Sequence, residues 1–418
     1  MLKNYLKIAW KVLLRRKFFT FISLFGISFT LMILMVATAM VDHLTGSHTP
    51  ETRMDRTLFI NFNKMTNEAK GSMMNSVPSY YYLQRYVMPM KTPEKVAIGS
   101  TFKGVNSYVN NKRLSLDLKY TDANFWEILE FNFLEGKAFN QQNLKNADKL
   151  AVITDYTRDQ YFGVDVPAVG KYIVVDGVRY QVCGVVEDVP ISRFNSYANV
   201  WVPLSTSHIN KGDISLFGEH MAIILARKSS DIPKIQAEYQ HIVKQIKVPD
   251  PQNFDRFGSY AEGILEGVVV RQLFGSRYGD DSGMGKFVAV VSLIVLLFML
   301  MPTINLVNIN VSRILERSSE IGVRKAFGAS SRMLIGQFLV ENIFLTLLGG
   351  LLGFLLSAVA LQLISSSGII PYAQLTLNWR VFAVGIGLSL VFGLLSGVIP
   401  AYKMSKLQAV EALKGGQL

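Results

Sequence analysis

The chain has 418 residues, half of them hydrophobic, with a mean hydropathy of +0.27 and a net charge of +12. That is too apolar for an ordinary soluble protein and too polar for one lying wholly in a membrane, so a mixed chain is expected. The charge has a geography. Residues 1–17, 313–332 and 403–418 hold 6, 5 and 3 Lys/Arg against 0, 2 and 1 acidic residues, which leaves the rest of the chain nearly neutral. The basic balance therefore marks segments kept on the inner side of a bilayer and excludes nucleic acid as the partner. The single cysteine, Cys183, excludes an intrachain disulfide and a cysteine-based metal cluster. Core packing in the strand Tyr180–Val186 is its expected role.

Residues 1–17 place Lys3, Lys7, Lys11 and Arg15 at four-residue spacing, with Leu6, Trp10 and Leu13 opposite. This is the pattern of an amphipathic helix on the inner membrane surface. Residues 18–41 are uncharged and, at about 1.5 Å per residue, long enough to span. The run is too long for a signal peptide and lacks a small-residue cleavage site, so an uncleaved first transmembrane helix is expected.

Residues 42–285 contain no spanning run and mix acidic and basic residues, as a folded water-exposed domain does. Thr57–Asn63 and Val96–Val105 read as strands, with a short helix at Pro78–Val87 between them. Leu150–Thr154, Asp155–Phe162 and Gly163 read as strand, helix and stop. Lys171–Val175 and Val178–Val186 flank Asp176-Gly177, the chemistry of a two-residue hairpin turn. His220–Arg227 reads as a strand and Asp231–Lys247 as a helix. The domain is therefore α+β.

A second span is set at 286–312. Pro302 is expected to bend it. Asn305, Asn308 and Asn310 lie towards its inner end, where they either bond to neighbouring helices or sit at the headgroups. The third span, 333–364, carries Glu341. A carboxylate inside a membrane suggests a proton or ion relay, but this one lies about two turns from the inner face, so a structural polar contact or snorkelling to that face is the expected role. Gly349, Gly353 and Ser357 recur on this span at four-residue spacing. After a connector at 365–380, the fourth span, 381–402, repeats the pattern with Gly385, Ser389, Gly393 and Gly397. Two such small-residue stripes are expected to pack backbone to backbone, making spans three and four a rigid antiparallel pair. Residues 403–418 form a tail on the inner side.

Between spans two and three lies the charged loop 313–332. Ser318 or Ser319 can cap a short helix, Glu320 suits its start, Arg324 and Lys325 suit its end, and Gly328 can close it in the left-handed conformation. Gly322 and Ala326 lie four apart, leaving backbone open to close approach, and Val323 and Phe327 offer an apolar grip. A helix this short is marginal alone, so a partner is expected to hold it; the alternative is a solvated linker.

The run Glu320-Ile321-Gly322-Val323-Arg324-Lys325-Ala326-Phe327-Gly328-Ala329 resembles the inner loop of MacB-like permeases, in the MacB/LolC/FtsX superfamily of ABC transporters. Gln337-Phe338-Leu339-Val340-Glu341-Asn342 followed by Leu347-Leu348-Gly349-Gly350 resembles the next part of that signature. Ala9–Lys17, Asp122–Trp126, Leu134–Phe139, Tyr180–Val189 and Pro400–Leu413 are similar to further stretches, with Ala409 standing where a proline is usual. The resemblance implies four transmembrane helices, with a large α+β extracytoplasmic domain inserted between helices 1 and 2. It also implies a mixed α/β porter-like subdomain beside a smaller β-rich one. Residues 320–329 would be the coupling helix that docks on a separate ABC ATPase subunit. The permease would sit in the inner membrane with both termini cytosolic, as a homodimer or a heterodimer with a similar permease. A periplasmic adaptor and an outer-membrane channel are its implied further partners.

No catalytic constellation accompanies these features. Gly279–Phe287 approaches a phosphate-binding loop, but its spacing is one residue too long and Phe287 replaces the magnesium-binding hydroxyl. His43, His48, His208, His220 and His241 show no metal-ligand spacing, and no Gly-x-Ser-x-Gly motif occurs. No enzyme activity, metal or cofactor is expected on this chain; ATP and magnesium would belong to the partner ATPase. The expected function is ATP-driven efflux or release of peptides, antibiotics or lipophilic molecules by mechanotransmission. The alternatives are lipoprotein release and FtsX-like regulation of a cell-wall hydrolase.

Overall fold

The computed structural model describes residues 17–109, 112–210, 212–316 and 330–367, and more sparsely 322–323, 327–328, 375, 380 and parts of 383–398. The expected surface helix before residue 17, the tail 403–418, and Glu320, Ile321, Arg324, Lys325, Ala326, Ala329 and Ser389 lie outside these residues. The chain divides into two compact units. One comprises Met1–Asp42, Val288–Ser367 and Gln374–Leu418, the other His43–Phe287 and Gly368–Ala373.

The described chain begins with helix α1 (Lys17–Thr45), apolar along its length. The second unit then supplies β1 (Thr57–Ile60), β2 (Asn63–Asn67), β3 (Ser72–Ser76), β4 (Lys95–Ser100), β5 (Lys103–Val109) and β6 (Lys112–Thr121). Helix α2 (Ala123–Ile128), β7 (Phe133–Gly136), β8 (Leu150–Thr154), α3 (Asp155–Phe162), β9 (Tyr172–Val175) and β10 (Val178–Val186) follow. Then come β11 (Val200–Pro203), β12 (His220–Leu225), α4 (Ile232–Lys244) and β13 (Arg256–Ser259).

Eight of these strands form one path in the order β1-β12-β4-β6-β11-β8-β10-β7, with β5 added on β6 and β9 on β10. The pairing is mixed: β11–β6 and β10–β8 are parallel, and β12–β4 is antiparallel. A second, three-stranded sheet runs β13-β2-β3. The ten-stranded and the three-stranded sheet both lie within the one compact unit His43–Phe287. The two faces of the larger sheet carry separate apolar cores, one around Val152, Phe125 and Trp201, the other around Val182, Ile153 and Val200. Neighbours such as Val152 and Ile153 point to opposite faces because strand side chains alternate.

Several local features follow directly from residue chemistry. Asp176 (φ 51°) and Gly177 (φ 74°) are both left-handed, so the β9–β10 hairpin closes through a turn of the kind whose twist matches its strands. Thr154 accepts from the Thr157 N–H to start α3, and Gly163 at φ 108° ends it. The single strand expected over Thr57–Asn63 is two: β1 joins the large sheet, and the chain crosses at Asn61-Phe62 to begin β2 in the small one. Val96–Val105 likewise breaks at Thr101-Phe102.

The first unit contains most of α1 and of α5 (Met284–Glu316), together with α6 (Ser331–Ser366), and helical residues recur between 383 and 398. Among the described residues two helices are long and apolar enough to cross a membrane, Lys17–Thr45 and Ile335–Ser366. The α5 helix is apolar over Met284–Leu300, and its backbone remains helical through Pro302.

Candidate coupling and anchoring sites

The loop between α5 and α6 is described at four of its predicted site residues. Gly322 is buried, whereas Val323 and Phe327 are 43% and 88% exposed. The Phe327 N–H donates to the Val323 carbonyl at 3.0 Å, the spacing of one helical turn, which places the two apolar side chains on one side of it. Gly328 follows at φ 89°, a left-handed conformation that a side chain would strain. The Ser330 hydroxyl then accepts from the Met333 N–H and opens α6. The loop thus presents two exposed apolar side chains shortly before the capped start of α6.

A polar contact ties those helices together. Asn310 Nδ2 on α5 donates to Asn342 Oδ1 on α6 at 2.7 Å, with both residues buried. Asn342 Nδ2 donates to the Phe338 carbonyl, and the Thr346 hydroxyl to the Asn342 carbonyl, so the acceptor is fixed in place. Of the two roles open to the α5 asparagines, Asn310 takes the interhelical bond, while Asn308 is exposed. Glu341 accepts from Gln337 Nε2 one turn away at 3.0 Å, a structural polar contact.

The small-residue stripes have partners that periodicity could not name. A Cβ on Gly349 would lie 2.6 Å from Ile27, and one on Gly353 would lie 2.9 Å from the Ser28 carbonyl. Ser357 is buried with its hydroxyl 3.8 Å from Met35 Sδ. This stripe therefore faces α1. The expectation that it meets the stripe of residues 385–397 is corrected by these contacts. Gly393 and Gly397 approach α6 at Thr346, Ile343, Leu339 and Asn342, and Gly385 approaches Met35 of α1. The physical reason is that a stripe of small residues permits close approach without selecting which neighbour approaches.

The second unit contains a buried ionic joint that the sequence did not announce. Arg193 Nη1 donates to Glu51 Oε2 at 2.8 Å. Its Nη2 donates to the carbonyls of His43 and Gly46 at 2.9 and 3.2 Å. These carbonyls lie at the C-terminal end of α1, where backbone acceptors lack helical partners and a cation is favoured. Ser196 Oγ donates to the other Glu51 oxygen at 2.8 Å, and Trp201 Nε1 to the Ser196 carbonyl at 3.1 Å. The fully buried Lys119 donates to the Phe194 and Asn195 carbonyls at 2.8 and 2.6 Å. Burial lowers the Lys119 pKa to about 7, against the opposing pull of Glu51. The Arg193, Glu51 and Lys119 side chains of this joint all have hydrogen-bond partners. Glu51 and Arg193 lie 142 positions apart, so no local spacing signals the pair.

Two further titratable groups hold local contacts. Asp122, whose carboxyl is pushed up to about 7 by burial, accepts from the Ile98 and Phe125 N–H groups and caps α2. Burial raises the Cys183 thiol to about 12, and its Sγ lies 3.4 Å from the Ala151 carbonyl. Among the described residues no group of His, Cys, Asp and Glu has the arrangement of a metal site.

Two families match the chain: the MacB-like periplasmic core domain over residues 20–242 and the FtsX-like permease C-terminal domain over residues 292–409. The first alone spans just over half the chain. This chain belongs to the MacB-like permeases. A relative with similarity along nearly the whole chain is the macrolide export ATP-binding/permease protein MacB of Escherichia coli O6:K15:H31. It is 26% identical over 421 residues, covering 98% of this chain and 60% of the relative. The pyoverdine export ATP-binding/permease protein PvdT of Pseudomonas fluorescens is 28% identical over 297 residues, 70% of this chain and 42% of PvdT. The ABC transporter permease YknZ of Bacillus subtilis is 21% identical over 355 residues, 84% of this chain and 83% of YknZ. The chain thus spans about three fifths of the length of the MacB relative. As a MacB-like permease, it has a family place for both of its units: the ten-stranded sheet lies in the periplasmic core match and α6 in the permease match.

Proposed function

We propose that this chain is the permease subunit of an ABC exporter, driven by a separate ATPase chain. Four spans carry it across the inner membrane with both termini in the cytosol. These are α1, α5, α6 and the segment 381–402, whose described residues between 383 and 398 are helical. The domain at 43–287 lies in the periplasm. In this topology the α5–α6 loop is cytosolic, and the single observation that carries the reading is the exposed Val323–Phe327 pair on its helical turn. Two exposed apolar side chains, with Arg324 and Lys325 between them in the sequence, suit a groove on a partner. Nucleotide-driven closure of that partner would move the loop, and α5 and α6, bonded through Asn310 and Asn342, would move with it.

One observation supports the separate ATPase: YknZ, named only as a permease, is matched over 83% of its length. A second permease copy, alike or similar, would complete the transporter, with a periplasmic adaptor and an outer-membrane channel on the far side. The exported class is small peptides, antibiotics or other lipophilic molecules.

The test is affinity purification of the tagged full chain from its native membrane in a non-hydrolysable ATP analogue. An ABC ATPase should accompany the wild type and be lost from Phe327→Asp and Val323→Asp. A wild-type preparation free of any ABC ATPase would overturn the reading.

A further inference from the structure

The small sheet of the second unit borders a cavity of ≈ 180 Å³ that the proposed transport does not use. Its lining includes Asn61, Lys64, Arg271 and Arg277, together with Met73 and Asn75 of strand β3. Three features of that lining ask for a ligand, and each asks for something different.

The first is an acceptor without a donor. Asn61 is only 7% exposed, and its Oδ1 has no hydrogen-bond partner. A buried carbonyl oxygen left so is costly, and an N–H from a ligand would satisfy it. The second is a surplus of cations. Arg271 is neutralised within the wall: its Nε donates to Glu262 Oε2 at 2.8 Å and its Nη2 pairs with the other Glu262 oxygen. Lys64 spends one donor on the Ser276 carbonyl at 2.7 Å, and Arg277 stacks on Tyr278. Neither has a carboxylate within 4 Å among the described residues. The third is an open strand edge. Among the described residues β3 pairs only with β2, and its residues Met73 and Met74 are exposed.

We infer that this cavity captures the free carboxyl end of an extended peptide that adds to the open edge of β3. The carboxylate would sit between Lys64 and Arg277, and the last peptide N–H would meet Asn61 Oδ1. The preceding residues would continue the sheet beyond β3, their backbone groups supplying the pairs that its outer edge lacks. Size agrees: the cavity is smaller than the roughly 300–1,000 Å³ of pockets that enclose a drug-sized ligand, so it holds an end group rather than a whole substrate. Electrostatics agree too. Burial and the neighbouring Arg271 depress the Lys64 pKa, with Asp280 opposing, so an incoming anion relieves an existing repulsion. The inference stands apart from the export reading, because capture requires neither ATP nor transport.

The experiment is fluorescence anisotropy on the purified full chain in detergent. The probe is a randomised hexapeptide pool labelled at its amino end, once with free carboxyl ends and once with the same pool amidated. The free-acid pool should bind at least about tenfold more tightly than the amide, the scale of a lost charge-assisted bond. Lys64→Gln should remove that preference, and Arg113→Gln, a change on the large sheet, should leave it. Glycerol phosphate, a stand-in for a lipid headgroup, should not displace the bound pool at equal concentration. Equal affinity for acid and amide would overturn the inference. So would an acid preference that survives Lys64→Gln, displacement by glycerol phosphate, or absence of binding up to millimolar peptide.

Discussion

Asn310 and Asn342, 32 residues apart in the sequence, meet through a 2.7 Å hydrogen bond that joins α5 to α6 just inside the loop they flank. A hydrogen bond between helices in an apolar setting contributes roughly 0.6–2 kcal/mol. Asn310→Leu and Asn342→Leu should each lower the thermal midpoint of the detergent-solubilised chain. The double variant should lose less than the two singles combined, with a coupling of about 1 kcal/mol. Strict additivity would show that the bond links nothing.

The glycines of the first unit should rank by what a side chain would strike. At Gly353 a Cβ meets the Ser28 backbone, which cannot yield without moving α1. At Gly349 it meets the branched Ile27, and at Gly385 the flexible tip of Met35. Gly336 has nothing within 4 Å. Alanine should therefore be most harmful at 353, with a cost of about 1–3 kcal/mol, and harmless at 336. Size-exclusion profiles and thermal midpoints of the four variants check the order.

Breaking the buried joint from one side should hurt more than removing it. Arg193→Met leaves Glu51 charged and unpaired, a loss of about 3–5 kcal/mol, whereas Glu51→Met combined with Arg193→Met should regain much of it. Trp201, bonded to Ser196 beside the joint, gives a fluorescence signal for denaturant titrations of the full chain. A double variant no better than Arg193→Met would contradict the pairing.

Lys119 makes the stability of this joint depend on pH. Its folded pKa, about 7, lies below the ordinary 10.5, so between these values the unfolded chain holds a proton that the folded chain does not. Stability due to this group therefore rises as pH rises from about 7 towards 10.5, by at most about 1.4 kcal/mol per pH unit. The wild type minus Lys119→Met difference should show this slope, and a flat difference would refute it.

The sequence displays what local chemistry decides. Asp176-Gly177 dictated its hairpin, and Thr154 and Gly163 set both ends of α3, because turns and caps are made by neighbours. It was silent where distant segments choose each other. The strand Val200–Pro203 is four buried residues without alternation, held between β6 and β8 by pairings that no period reveals. Glu51 and Arg193 are unremarkable surface residue types until folding buries them together. The glycine stripes were visible as stripes, but that Gly349 and Gly353 pack on α1 was not.

The sidedness of the chain tests the account most directly. In a Cys183→Ser background, single cysteines placed at Phe327 and at the exposed Val164 are challenged in intact spheroplasts with a membrane-impermeant maleimide, and again after lysis. The account predicts immediate labelling of Val164→Cys and labelling of Phe327→Cys only after lysis. Labelling of Phe327→Cys before lysis would contradict it.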